Sequence, residues 1–298
     1  MTPVLQADRL GKRYGRRWAL RDCTLDIPVG RVVALVGPNG AGKTTLLHLA
    51  VGLLQPTSGT IEVLGERVVD TPAQLGRVGF VAQETPVYPT LSVADHLRLG
   101  AHLNPDWDRR VAEERIQQLQ LDPTQRAGSL SGGQRAQLAL ALAVAKRPRL
   151  LLLDEPVASL DPLARREFLQ GLMEITSEQE VSVVLSSHLV ADLERVCDYL
   201  VLVAASRIQL AGEVEELLAS HRRLTGPRRD AASLPAGQQV IEASHTDRQS
   251  TLLVRTEEPI HDPAWLVEEV SVEDLVLACM RGATGAGHDP SPVWGAKR

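Results

Sequence analysis

Apolar residues fall into short runs along the first two thirds of the chain, and the runs differ in kind. Residues 4–10 and 19–27 alternate apolar with polar positions, the pattern of strands buried on one face. Val32–Val36 is apolar throughout, which predicts a strand covered on both faces. A helix is predicted over 43–54, stopped by Gln-Pro-Thr-Ser-Gly, and strands over 60–64 and 78–82. From about 84 to 149 helix formers dominate, β-branched runs are scarce, and Pro105, Pro123 and Gly128 break the stretch, so a helical insertion is predicted. Strand patterns return at 150–153, 181–185 and 200–203. Strands alternating with helices imply an α/β fold around a mostly parallel sheet.

Near Ser220 the composition turns basic, then small and polar, and 221–238 reads as a solvated linker. Strand patterns at 239–241 and 251–255 and a helical one at 270–280 predict a small α+β module over 239–282. Residues 283–298 have the composition of a disordered tail. No internal repeat appears.

Composition changes this picture mainly by exclusion. Hydrophobic residues at 44% and charged residues at 23% fit a globular chain, and a net charge of −5 argues against a broad basic surface for nucleic acid. No nucleic-acid partner is expected. Cys23, Cys197 and Cys279 form no Cys-x-x-Cys pair, so three reduced thiols are expected rather than a zinc or redox site. No stretch approaches the ~18 apolar residues of a membrane span. Asp8 and Arg9 interrupt what would have to be the apolar core of a signal peptide. A cytoplasmic chain is expected, associated with a membrane only through a partner.

Gly37-Pro38-Asn39-Gly40-Ala41-Gly42-Lys43-Thr44 fits G-x-x-x-x-G-K-[ST] and lies between a buried strand and a helix. Its glycines let the backbone wrap phosphates, Lys43 can reach the β- and γ-phosphates, and the Thr44 hydroxyl can ligate Mg²⁺. The apolar run at 150–153 ends in Asp154-Glu155. Asp154 suits Mg²⁺ held through water, and Glu155 suits a general base that polarises the attacking water. The only asparagines, Asn39 and Asn104, do not precede a lysine, so the Asn-Lys-x-Asp element of common GTPases is missing. A second small-residue turn, Ser131-Gly132-Gly133, opens an Ala- and Leu-rich helix that Pro148 ends. It too presents a helix N-terminus to an anion.

With these motifs the chain resembles the ATP-binding subunit of ABC transporters over about residues 4–217. The resemblance implies a P-loop NTPase cassette over 1–220, with a mostly parallel core, an antiparallel β subdomain and a helical subdomain. It assigns Tyr14 to stack on adenine, the glycine loop with Thr45 to the phosphates, and Gln83 to the glutamine loop that touches Mg²⁺ or water. Leu130 to Gln134 is similar to the family signature, which places Ser131, Gly132, Gly133 and Gln134 at the nucleotide. Asp161 falls in the D-loop, and His188 takes the switch position that contacts the γ-phosphate. Implied with these are ATP and Mg²⁺, an active dimer (a homodimer or a paired ABC subunit), and an integral membrane permease. The permease would hold the chain at the inner face of the cell membrane.

Two departures concern the partner-facing region. The helix after the signature lacks the arginine that family members often carry, and 121–128 lacks the acidic-glycine pattern of large multidrug exporters. Residues 265–282 resemble the end of subunits serving drug and antibiotic exporters, so export is expected, with import as the alternative. A non-transport ABC ATPase acting on DNA or ribosomes is the other alternative. Against it stand the short interval between Lys43 and Ser131, the lack of zinc ligands there, and the single cassette.

Overall fold

The first half of the chain runs β1 (Leu5–Tyr14), β2 (Arg17–Ile27), β3 (Val32–Val36), α1 (Lys43–Ala50), β4 (Ser58–Val63), β5 (Glu66–Arg67), α2 (Pro72–Gly76) and β6 (Val78–Val81). Then come α3 (Val93–Leu103), α4 (Arg109–Gln118), α5 (Gly132–Val144), β7 (Leu150–Asp154), α6 (Pro162–Glu178), β8 (Ser182–Ser187), α7 (Val190–Leu193), β9 (Tyr199–Ala204) and β10 (Arg207–Glu213). The chain closes with α8 (Val214–Ala219), β11 (His221–Pro227), β12 (Gln239–His245), β13 (Gln249–Arg255), β14 (Leu266–Glu268) and α9 (Val272–Gly285). This computed structural model describes residues 2–68, 71–84, 87–229 and 238–285.

The central sheet has the order β10-β9-β3-β8-β7-β6. Its five strands from β9 to β6 are parallel, and β10 adds antiparallel to β9 at one edge. The apolar run of β3 follows from its place inside this sheet. Val33 and Leu35 enter the core shared with α1 and the sheet β2-β1-β4-β5, while Val32, Ala34 and Val36 enter the core shared with α5 and α6. β7 alternates in the same way, with Leu150 and Leu152 on one side and Leu151 and Leu153 on the other. Burial on both faces is what a parallel sheet covered by two layers demands of its central strands.

The stretch expected to be helical forms α3, α4 and α5 around a core of their own, including Val93, Ile116, Leu130 and Leu138. α1 is shorter than predicted. It stops at Ala50, and the chain folds back so that Leu54 N–H donates to His48 O at 3.2 Å.

The C-terminal boundaries differ from the sequence reading. β11 lies inside the expected linker, as an inner strand of the antiparallel sheet β12-β13-β11-β14. Its basic residues hid it, because only Leu224 enters the small apolar core there, with Leu252, Val254 and Trp265. His221 opens the strand almost fully buried, and burial pushes its imidazole below the usual histidine range. α9 runs to Gly285, so the first residues of the expected tail are helical. The remaining tail, 286–298, and the linker positions 230–237 lie outside the described residues. The module also shares a core with the rest of the chain: Leu253, Val270, Val272, Leu275 and Val276 join the cluster that holds α5, α6 and one face of the central sheet.

Candidate active site

The glycine loop leaves the end of β3 in a space too narrow for side chains. A Cβ on Gly37 would stand 2.1 Å from Val203 O, and one on Gly42 would stand 2.5 Å from Ala19 O. Their φ angles of +152° and +114° are ones that other residues avoid. The loop tip at Pro38, Asn39 and Gly40 is exposed, whereas Ala41 and Gly42 are buried. Gly42 caps α1 without a side-chain hydrogen bond, so the amides of the first turn, with Thr44 and Thr45, stay open to an anion.

Lys43 folds back over this loop and is 6% exposed. Its Nζ donates to Gly37 O at 2.8 Å and to Pro38 O at 3.4 Å, and lies 3.2 Å from Glu155 Oε1. The other Glu155 oxygen, Oε2, is 2.8 Å from His188 Nδ1. One buried carboxylate therefore joins the lysine of the loop to the histidine after β8. This convergence spans residues far apart in sequence and arises from neighbouring positions in the parallel sheet.

Asp154 and Glu155 are set by a serine that sequence reading did not single out. Ser186, opposite Asp154 in the β7–β8 register, donates from Oγ to Asp154 Oδ1 at 2.7 Å and accepts from Glu155 N–H at 2.8 Å. It is fully buried. The available signal was a polar Ser-Ser pair at the end of a central strand, where a buried hydroxyl needs partners. Glu155 holds a left-handed φ of 47°, a conformation that costs roughly 1–3 kcal/mol in a residue other than glycine. The surrounding hydrogen bonds and the Lys43 pair hold it there.

Other expected residues lie apart from this cluster. Tyr14 is 51% exposed on the β1–β2 hairpin, with the Lys12 ammonium 5.6 Å from its ring centre. On the same hairpin Arg17 reaches the loop tip, where a Cβ on Gly40 would stand 3.4 Å from its Nη2. No motif marks that arginine. Gln83, just past β6, is exposed and lines a cleft of about 740 Å³ with Gly132, Arg135 and Ser159. Asp161 caps α6, its Oδ1 accepting from Leu163 and Ala164 N–H at 3.0 Å each.

Ser131 and Gln134 satisfy each other at the start of α5. Gln134 N–H donates to Ser131 Oγ at 3.1 Å, and Ser131 N–H donates to Gln134 Oε1 at 2.9 Å. Gly133 packs tightly on α6, where a Cβ would meet that of Ala164 at 2.9 Å. Among the described residues, no hydrogen bond or ion pair joins Ser131, Gly132, Gly133 or Gln134 to the glycine loop. The chain thus presents two helix N-termini, that of α1 uncapped and that of α5 capped by Ser131 and Gln134, which it does not bring together itself. No helix among the described residues is long and apolar enough to cross a membrane.

Comparison with known proteins identifies the family. Residues 20–158 match the protein family described as ABC transporter. The chain is 35% identical over 220 residues to the uncharacterized ABC transporter ATP-binding protein YxlF of Bacillus subtilis, covering 72% of each. It is 38% identical over 202 residues to the thiamine import ATP-binding protein ThiQ of Salmonella choleraesuis, covering 65% of this chain and 85% of that one. The sulfate/thiosulfate import ATP-binding protein CysA of Bacillus cereus is 35% identical over 222 residues, 72% of this chain and 62% of that one. A solved ATP-binding subunit of an ABC transporter superposes with a TM-score of 0.65 at 27% identity, over 72% of this chain and 91% of that one. The structure of cbiO1 from Clostridium perfringens, part of the ABC transporter complex cbiONQ, gives 0.64 at 25%, over 74% and 92%. The chain belongs to the ABC transporter family, as an ATP-binding cassette that hydrolyses ATP.

Proposed function

We propose that this cassette hydrolyses ATP held between two chains and so drives a separate membrane permease. The observation that carries the reading is Glu155, one carboxylate touching both the loop lysine and His188 beside an open helix N-terminus. Phosphates entering the loop draw Lys43 Nζ away from Glu155. The freed carboxylate takes a proton from water as its oxygen attacks the γ-phosphorus, the bond to the bridging oxygen breaks, and ADP and phosphate leave. His188 holds the carboxylate in place from its other side. Tyr14 receives the adenine, and Thr45 and the open amides receive the phosphates.

The residues also fit Mg²⁺. Ser186 engages one Asp154 oxygen, and among the described residues no hydrogen bond takes up the other or the Thr44 hydroxyl. These are hard oxygen donors, and no group of three His, Cys, Asp or Glu among the described residues would hold an ion unaided. Thr44 and Asp154 would hold the ion, with Gln83 reaching it from the cleft once the helical layer closes. Bound, the ion neutralises phosphate charge.

The second cradle belongs to the partner chain. Ser131, Gly132 and Gly133 of one cassette, with Gln134 fixing their cap and Asp161 beside them, close over the nucleotide on the loop of the other. Dimerisation around ATP and release after hydrolysis supply a stroke. A permease as the receiver of that stroke is supported by cbiO1, named as part of a transporter complex. On direction, the relatives named for thiamine and for sulfate/thiosulfate import favour import. They give no support to the drug or antibiotic export expected from residues 265–282. A tagged chain recovered from its own cells in mild detergent is expected to bring one multi-span membrane protein in stoichiometric amount. Recovery with ribosomes or DNA, and without membrane protein, would overturn the reading.

A further inference from the structure

The segment that carries His188 has little structure of its own. α7 begins two residues later, is four residues long, and has no side-chain cap at Leu189. One turn of helix does not sustain itself, so its position is set by what packs on it. On one side Asp192 pairs with Arg165 of α6 at 2.8 Å. The apolar side rests on α9. Leu193 and Cys197 are buried in one cluster with Val272, Leu275 and Val276, and Val272 N–H reaches Glu194 Oε1 at 3.5 Å. α9 is itself fastened to the C-terminal sheet near both ends. Asp274 pairs with Arg223 of β11, and Arg281 pairs with Glu242 of β12, each at 2.8 Å.

We propose that the C-terminal module positions His188: α9 holds α7 in place, and Val272, Leu275 and Val276 are positioning residues for the Glu155–His188 contact. This rests on the function proposed above for that pair. A movement of the module shifts α9, then α7, then the imidazole that steadies the carboxylate. Helix α1, which follows the glycine loop, is not on this route, because its Leu46, Leu47 and Leu49 pack in the other core layer. The module therefore acts on turnover rather than on ATP capture.

The test uses the full chain with Leu275→Ala and the conservative Leu275→Met, read by steady-state hydrolysis, ATP binding and backbone hydrogen exchange. Leu275→Ala is expected to lower kcat about tenfold while the dissociation constant for ATP stays within about twofold. Leu275→Met should restore kcat. Exchange should quicken at 188–197 and stay native at 43–50. Should Leu275→Ala fail to fold, Val276→Ala, which removes less side chain, carries the same measurements. Native kcat together with native exchange at 188–197 in a folded variant overturns the proposal. So does an equal loss of kcat and ATP affinity, which marks general loosening. Exchange reads the α9–α7 packing even in a chain that hydrolyses nothing, so failure of the functional reading is told apart from failure of this one.

Discussion

Glu155→Gln is expected to bind ATP and to lose about 10²-fold or more of its hydrolysis rate. Glutamine keeps the length and the hydrogen-bonding oxygen of the native side chain. Its oxygen can accept from Lys43 Nζ, 3.2 Å away, and its amide N–H can donate to His188 Nδ1, 2.8 Å away, so both neighbours keep a partner and the loop stays formed. What disappears is the group that takes the proton as water attacks. Because binding persists and cleavage stalls, ATP should trap the variant as a dimer, visible as a shift in size-exclusion elution that ADP does not produce. Phosphate release within a few fold of the native chain would show that another group takes the proton.

Lys43→Ala should abolish measurable hydrolysis and weaken ATP binding by at least about tenfold. The ammonium is nine-tenths buried and already desolvated, so its attraction for a phosphate is little diluted by solvent. Its removal also frees Gly37 O and leaves Glu155 with His188 alone. The loop itself should survive, since the confinement of Gly37 by Val203 and of Gly42 by Ala19 does not involve the lysine side chain. Equilibrium ATP binding and a thermal unfolding curve on the same sample check both halves. Native affinity in a folded variant would remove Lys43 from the phosphate site.

Much of the catalytic layer was legible because its signals are local. β3 and β7 announce themselves as unbroken apolar runs, and the glycine loop and Asp154-Glu155 sit at their ends. The meeting of Lys43, Glu155 and His188 was not legible as a contact, since only the register of β3, β8 and β7 brings them together. Ser186 escaped notice because a Ser-Ser pair at a strand end carries no spacing that names its partner. β11 escaped because Arg222 and Arg223 look solvated in sequence, although the ladder to β13 and β14 holds both, and Arg223 pairs with Asp274. The role of α9 was hidden for a similar reason. Its apolar stripe was plain, but nothing in the stripe names α7 as the surface it covers.

The central claim is that each ATP lies between two chains, and mixing two inactive variants tests it most directly. Lys43→Ala spoils the loop, and Ser131→Arg spoils the cap of α5 that faces a partner, so each alone should neither dimerise with ATP nor hydrolyse it. A mixed dimer holds one intact composite site, made by the loop of the Ser131→Arg chain and the Ser131 turn of the Lys43→Ala chain. The account predicts that ATP-dependent dimers and partial hydrolysis return on mixing, and only on mixing. Native hydrolysis by the Ser131→Arg chain alone as a monomer, or a mixture that forms mixed dimers and stays inactive, would contradict it.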